Sequence, residues 1–251
     1  ARRQVRLPAA PAVRVVQRVL AFPADSATLG HPLLPRESVM YIPKHFAEPD
    51  VDVLHQLIRA RPLATLVTLS SGGLNANHLP LHLSVDTSPM GILRGHVARA
   101  NSLWRDYVTD VDVLAIFHGP DAYISPTWYP TKAETGKAVP TWNYAVAHAS
   151  GRLRVIDDAS WLRAHLDALT VHNEAGQPAP WQLADAPPAY IDKMVAAVVG
   201  IEIEIVRLSG KWKMSQNQPA NNQAGVVEGL RAAGNSSGLE VAAIIEGRQP
   251  C

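Results

Sequence analysis

The segment "GIEIEIVRLSGKWKMSQN", residues 200–217, constrains the fold more than any other stretch. Ile201, Ile203 and Ile205 alternate with Glu202 and Glu204, the period-two pattern of a strand with one buried face. Such a strand needs strand partners and a packed layer against its apolar side. The rest of the chain supplies them. "LATLVTL", the turn "SSGG" and "LNANHLPLHLSV" read as a hairpin, the second arm placing Leu79, Leu81, Leu83 and Val85 on one face and His78, Pro80, His82 and Ser84 on the other. Pro80 predicts an edge or a bulge, since it has no N–H for a ladder. "MGILRGHV" gives a third strand, and "VDVLAIFHG", nearly all apolar, gives a central fourth. "AVPTWNYAVAHASGRLRVI" is a long extended segment with Trp142, Tyr144, Val146 and His148 on one face and Thr141 and Asn143 on the other.

Helical signals lie between the strands. "FAEPDVDVLHQLIRARP" puts Val51, Leu54, Leu57 and Ile58 on one stripe, with acidic residues first, Arg59 and Arg61 late and Pro62 as the stop. "NSLWRDY" reads as a short helix and "PDAYISPTWYPTKAETGK" as a long functional loop. Further helices are expected at 158–173, with Leu162, Leu166 and Leu169 in the stripe, and at about 187–198. From Pro219 on, two weak helices broken at Gly234 and Gly238 form a C-terminal tail, 219–251. Hairpins without strict strand–helix alternation argue for antiparallel pairing. The expected fold is α+β, mainly β: a closed or half-closed antiparallel barrel over residues 40–218 with flanking helices.

Residues 1–39 differ in composition, with six arginines among five prolines and only Asp25 and Glu37 acidic. They are expected to be a disordered or non-native extension, with the domain starting at Met40. Over the whole chain the net charge is +1, so a nucleic-acid partner would have to be met by a local patch. The one cysteine, Cys251, leaves no disulfide framework or thiolate cluster and fits a reducing cytoplasm. The apolar runs "MVAAVVG" and "VAAII" fall far short of the ~20 residues of a membrane helix.

Several chemistries drop out on spacing. His78 and His82 would lie about 13 Å apart on a strand, and His165 and His172 about 10 Å apart on a helix, so neither pair chelates one ion and no metal is expected. "TGKA" at 135–138 lacks the upstream Gly and the following Ser or Thr of a phosphate loop, and no "GxSxG" occurs. A flavin mononucleotide site needs donors for a dianionic phosphate, apolar or aromatic walls and a few amides. Arg94, His96 and Arg99 suit the phosphate. Trp142, Tyr144 and Trp212 suit the ring walls, and Asn77, Thr141, Asn143 and Gln216 suit its carbonyls and nitrogens.

The ordered series "MYIPKHF", "ATLVTL", "NHLPL", "LRGHVARANSLWR", "PDAYISPTWY", "KAVPTWNYAVAHASGRLRVI" and "GIEIEIVRLSGKWKMSQN" resembles the PaiB-type FMN-binding negative transcriptional regulators over about residues 40–233. The resemblance implies an FMN-binding split barrel like that of pyridoxamine-phosphate oxidase, working as a homodimer with FMN at the subunit interface. By the same resemblance, "RGHVARAN" holds the phosphate through Arg94, Gly95, His96, Val97, Arg99 and Asn101. "NHLP" (Asn77, His78, Leu79, Pro80) meets the ring and ribityl chain. The "PTWNY" and "KWKMSQN" segments, with Thr141, Trp142, Asn143, Lys211, Trp212 and Gln216, complete the pocket or the dimer seam. DNA binding is implied by the resemblance alone: helix 158–173 carries Arg163 but also Asp158 and Asp167, with Glu174 just beyond it, which phosphates repel. The alternatives are an FMN-dependent oxidoreductase, a haem-degrading relative with a histidine ligand, or a flavin-storage or sensing module. No catalytic acid or base is identifiable, so any redox activity rests on the flavin.

Overall fold

The computed structural model describes residues 40–85 and 88–247; the expected extension at 1–39 and Cys251 lie outside the described residues. Eight strands form one antiparallel sheet: β1 (Ala47–Glu48), β2 (Leu63–Ser70), β3 (Gly73–Pro80), β4 (His82–Ser84), β5 (Ile92–Ala98), β6 (Val113–Ile124), β7 (Thr141–Ile156) and β8 (Val198–Lys213). Their order is β3-β2-β6-β7-β8-β5-β4, with β1 paired to β8. The two ends of that order, β3 and β4, are successive runs of one chain with only Leu81 between them. The sheet therefore curls back on itself into a split β-barrel. Pro80 closes β3 at this corner, where no ladder N–H is needed.

Alternation sets the inside of the barrel. Leu66, Leu93, Phe117, Ala147, Ile201 and Ile203 are all fully buried, while Glu204 faces water. Helix α1 (Val51–Ala60) caps one opening with Leu54 and Ile58. It starts where the Asp50 carboxylate accepts the Asp52 N–H at 2.9 Å, and it ends before Pro62 as its sequence predicts. Buried His55 on this helix contacts the Met90 carbonyl at 3.0 Å through Nε2.

Three expectations change. The segment taken as a loop from Pro120 is strand as far as Ile124, because a bulge between His118 and Asp121 lets Pro120 sit where no ladder hydrogen bond is required. Only after it come a 3-10 turn (Pro126–Trp128) and the short α2 (Thr131–Thr135). "NSLWRDY" yields just a 3-10 turn, Ser102–Trp104, begun by the Asn101 side chain. Gly238 does not break the tail, since it lies inside α6 (Ser236–Gly247), where its N–H donates to Asn235 Oδ1 at 2.7 Å. With α5 (Ala220–Ala233), α6 buries Val226, Leu230, Val241 and Ile245 in the main core. Helices α3 (Ala159–Glu174) and α4 (Pro188–Ala196) bury a separate small cluster, Leu162, Ile191 and Val195, on the outer face of the sheet. No helix among the described residues is long and apolar enough to cross a membrane.

Candidate functional site

Strand β5 points Arg94 and His96 outward, toward α3, while Gly95 and Val97 point into the barrel. There the charges find protein partners. Arg94 Nε donates to Glu202 at 3.0 Å, and Arg154 reaches the other oxygen of the same buried carboxylate. Arg99 is more fully committed. Its two terminal nitrogens grip Asp157 at 2.9 and 2.6 Å, and it also donates to the Ala196 and Val198 carbonyls. That bond holds the Asp157 carboxyl below its ordinary range and raises the arginine above its own. Four of its five N–H donors are thus spent in pinning β5 to the β7–α3 and α4–β8 connections.

Arg94 differs. Its terminal nitrogens have no partner among the described residues, and its side chain borders a cavity of about 560 Å³ with Arg59, His82, Trp161 and His165. His96 Nδ1 lies 3.2 Å from His165 Nε2, and His165 stacks on Trp161 with centroids 5.1 Å apart. Burial lowers the pKa of His96. His165 falls further, to about 4, through burial first and then the charges of His96, His82 and Arg94. A neutral His165 can accept or donate one hydrogen bond to His96, whereas two imidazolium rings would face donor to donor.

The "NHLP" residues lie round the corner. Asn101 Nδ2 donates to Asn77 Oδ1 at 2.8 Å, which joins this segment to the end of "RGHVARAN". His78 contacts Thr65 at 3.1 Å, Leu79 is buried in the core, and Pro80 ends its strand.

The third group assembles at the far end of β7 and β8. Asn143 is fully buried and donates to Ser215 Oγ at 2.9 Å, and its Oδ1 has no partner. With Thr141 it borders a cavity of about 350 Å³ that also takes in Tyr129, Lys213, Ser215 and Asn222. Trp142 points the other way. It is 53% exposed and meets Tyr123 edge-on at 6.0 Å, beside an open hollow of about 490 Å³ shared with His118, Tyr144 and His148. Trp212 is buried, Lys211 lies over the Tyr41 and Tyr144 rings, and Gln216 accepts the Met214 N–H. Within one chain the Arg94 group and the Trp142 group stay apart. Arg94 and Arg154 both meet Glu202, and Trp142 is twelve residues from Arg154 along β7, about 40 Å of strand.

A protein-family model described as "Putative FMN-binding domain" matches residues 40–207. The chain belongs to this FMN-binding family. An uncharacterized protein of Emericella nidulans is 34% identical over 244 residues, spanning 83% of this chain and 97% of the relative. Protease synthase and sporulation protein PAI 2 of Bacillus subtilis is 30% identical over 210 residues, 82% of this chain and 97% of the relative. Together they place the chain among the PaiB-type proteins that its motif series resembles. The fold is shared with the flavocytochrome Anf3 of Azotobacter vinelandii (TM-score 0.51, 16% identity, 66% of this chain and 69% of that one). It is shared too with the FAD and heme binding protein of Mycobacterium smegmatis (TM-score 0.51, 18% identity, 75% and 80%).

FMN is the cofactor of the family, and this chain's residues fit it. Arg94 presents uncommitted guanidinium nitrogens to an open cavity, and Trp142 and Tyr123 offer an exposed aromatic wall. Sequence reasoning missed Glu202, His165, Tyr129, Ser215 and Lys213 as members of the site. Only Lys213 left a trace, in the "KWK" spacing. The others matter through partners 48 to 108 residues away.

Proposed function

We propose that this protein is a cytoplasmic FMN-binding negative regulator of gene expression that works as a homodimer, with flavin held across the seam between two copies. The observation that carries the reading is the division of the site. Arg94, which shares Glu202 with Arg154, and the Trp142–Tyr123 pair are separated by about 40 Å of β7, more than one chain spans to bring both to one flavin, and a second copy laid against the first can supply the missing half. Val139 at 74% and Trp142 at 53% exposure, three residues apart at the start of β7, give apolar surface that such a seam buries. Arg94 is the phosphate ligand in this reading, and Arg99 positions the strand. The regulatory role is supported by the resemblance to the PaiB-type regulators and by the Bacillus subtilis relative, which is named a protease synthase and sporulation protein. Helix α3 is an unsuitable DNA reader, since its Arg163 is paired with Asp192.

The purified protein should show flavin bands and sediment at about twice the 27.1 kDa chain mass. Arg94→Gln should weaken FMN by about one to two decades, the worth of one charge-assisted contact, and leave riboflavin unchanged. Trp142→Ala should weaken both alike. A monomer that binds flavin at full affinity overturns the seam, a haem Soret band overturns the cofactor, and steady NAD(P)H turnover above that of free FMN favours the oxidoreductase.

A further inference from the structure

The cavity at the end of β7 and β8 has a polarity that the flavin reading does not use. Trp142, offered to the ring, and Asn143 point to opposite sides of β7. Among the described residues, two lysines, Lys137 and Lys213, border the cavity and no carboxylate does. Neither lysine makes an ion pair among the described residues. The Lys213 ammonium is spent on neutral acceptors, the Thr141 hydroxyl and the Trp142 carbonyl, the latter at 2.7 Å. Burial, and then the neighbouring Lys211 charge, lower its pKa. A half-buried cation without a counter-charge is a costly arrangement that a bound anion relieves.

Three further features converge there. The unpartnered Oδ1 of Asn143 requires a donor. Ser215, which carries the only left-handed backbone among non-glycine described residues (φ 61°), turns its hydroxyl between Asn143 and Tyr129. Helix α5 begins at the cavity with Pro219 and Asn222, adding the positive end of its dipole. A water in the cavity would satisfy Asn143 but would bring no charge to Lys213.

We propose that this cavity binds a second, non-flavin ligand: a small organic anion bearing an adjacent hydroxyl or N–H, with Lys213 taking its charge and Asn143 its donor. At about 350 Å³ the space suits a molecule of metabolite size. The proposal requires that flavin sit outside this cavity, as the proposed Arg94 and Trp142 site has it. It makes the protein a two-ligand device, flavin outside the barrel and anion at its end.

The test titrates the FMN-loaded, full-length protein with glycolate, acetate and inorganic phosphate by calorimetry. Glycolate should bind several-fold tighter than acetate, which lacks the hydroxyl for Asn143. Lys213→Met should weaken glycolate and phosphate by about tenfold or more, with Lys213→Arg restoring most of it. Asn143→Ala should erase the preference for glycolate over acetate. Equal binding of glycolate by wild type and a folded Lys213→Met protein overturns the proposal, as does no measurable binding of any probe. Displacement of glycolate by FMN from the flavin-free protein also overturns it, because the cavity would then be the flavin's own.

Discussion

Gly151→Ala is expected to remove a large part of the stability of the barrel. Gly151 sits at the bulge in the β7–β8 ladder, where Ser150 faces Arg207 but Gly151 faces Ile205. A Cβ there would lie 1.9 Å from the Glu204 carbonyl oxygen, 2.8 Å from its carbon and 3.2 Å from an Ile203 methyl. The obstacle is backbone, and that backbone is also hydrogen-bonded into the sheet on its other side, where Glu204 pairs with Ile92. No rotamer change relieves it, so the two longest strands must move apart. Overpacking a core commonly costs 1–3 kcal/mol, and a backbone clash belongs at or above the top of that range, about 3 kcal/mol or more. For a domain of this size that lowers the melting temperature by about 6–12 °C. Gly176→Ala is the control, since nothing lies within 4 Å of its added methyl and its backbone is not left-handed; it should change stability by no more than about 0.5 kcal/mol. Urea unfolding of the two variants decides the matter. Equal losses would show that the β7–β8 contact is not as tight as the structure has it.

Acid should destabilise the protein through His165 before most carboxylates titrate. Its folded pKa of about 4 lies below the ordinary histidine value near 6.5. Below pH 6.5 the unfolded chain takes up a proton that the folded chain refuses, so stability falls as pH drops toward 4 and the contribution levels off below it. The ceiling is about 3 kcal/mol, from about 2.5 pH units at 1.36 kcal/mol each. His96, lowered in the same direction, steepens the slope. The described groups facing the ring are His96, His82, Arg94 and Trp161, so a proton on His165 meets the Arg94 cation, two imidazoles and an indole, with no carboxylate among them. His165→Gln should flatten the stability profile between pH 6.5 and 5, and parallel profiles for variant and wild type would rule this origin out.

The strands were legible from composition along the chain because burial alternates with a period that side chains must obey. Ile201, Ile203 and Ile205 predicted β8, and they are its buried face. Helix α1 was equally plain, since its cap, its stripe and its stop are all within one short segment. The Pro120 segment misled because proline normally ends a strand, and only the bulge against β7 creates a position that tolerates it. At the site, the sequence named residue types that suit a flavin, and family membership agrees with the cofactor.

What the sequence could not state is which of those residues are already spoken for. Arg94, His96 and Arg99 read as three donors in a row on one strand. In the fold, His96 meets His165, 69 positions on, and Arg99 is clamped to Asp157, 58 positions on. Glu202, which reads as the solvated face of β8, is buried between Arg94 and Arg154. Lys213 borders a cavity that has no carboxylate among the described residues. Local structure follows from side-chain periodicity and capping, interactions that span a few residues and so are written consecutively. The availability of a charge depends on which distant element packs beside it, and that was decided when β5, β8 and α3 came together.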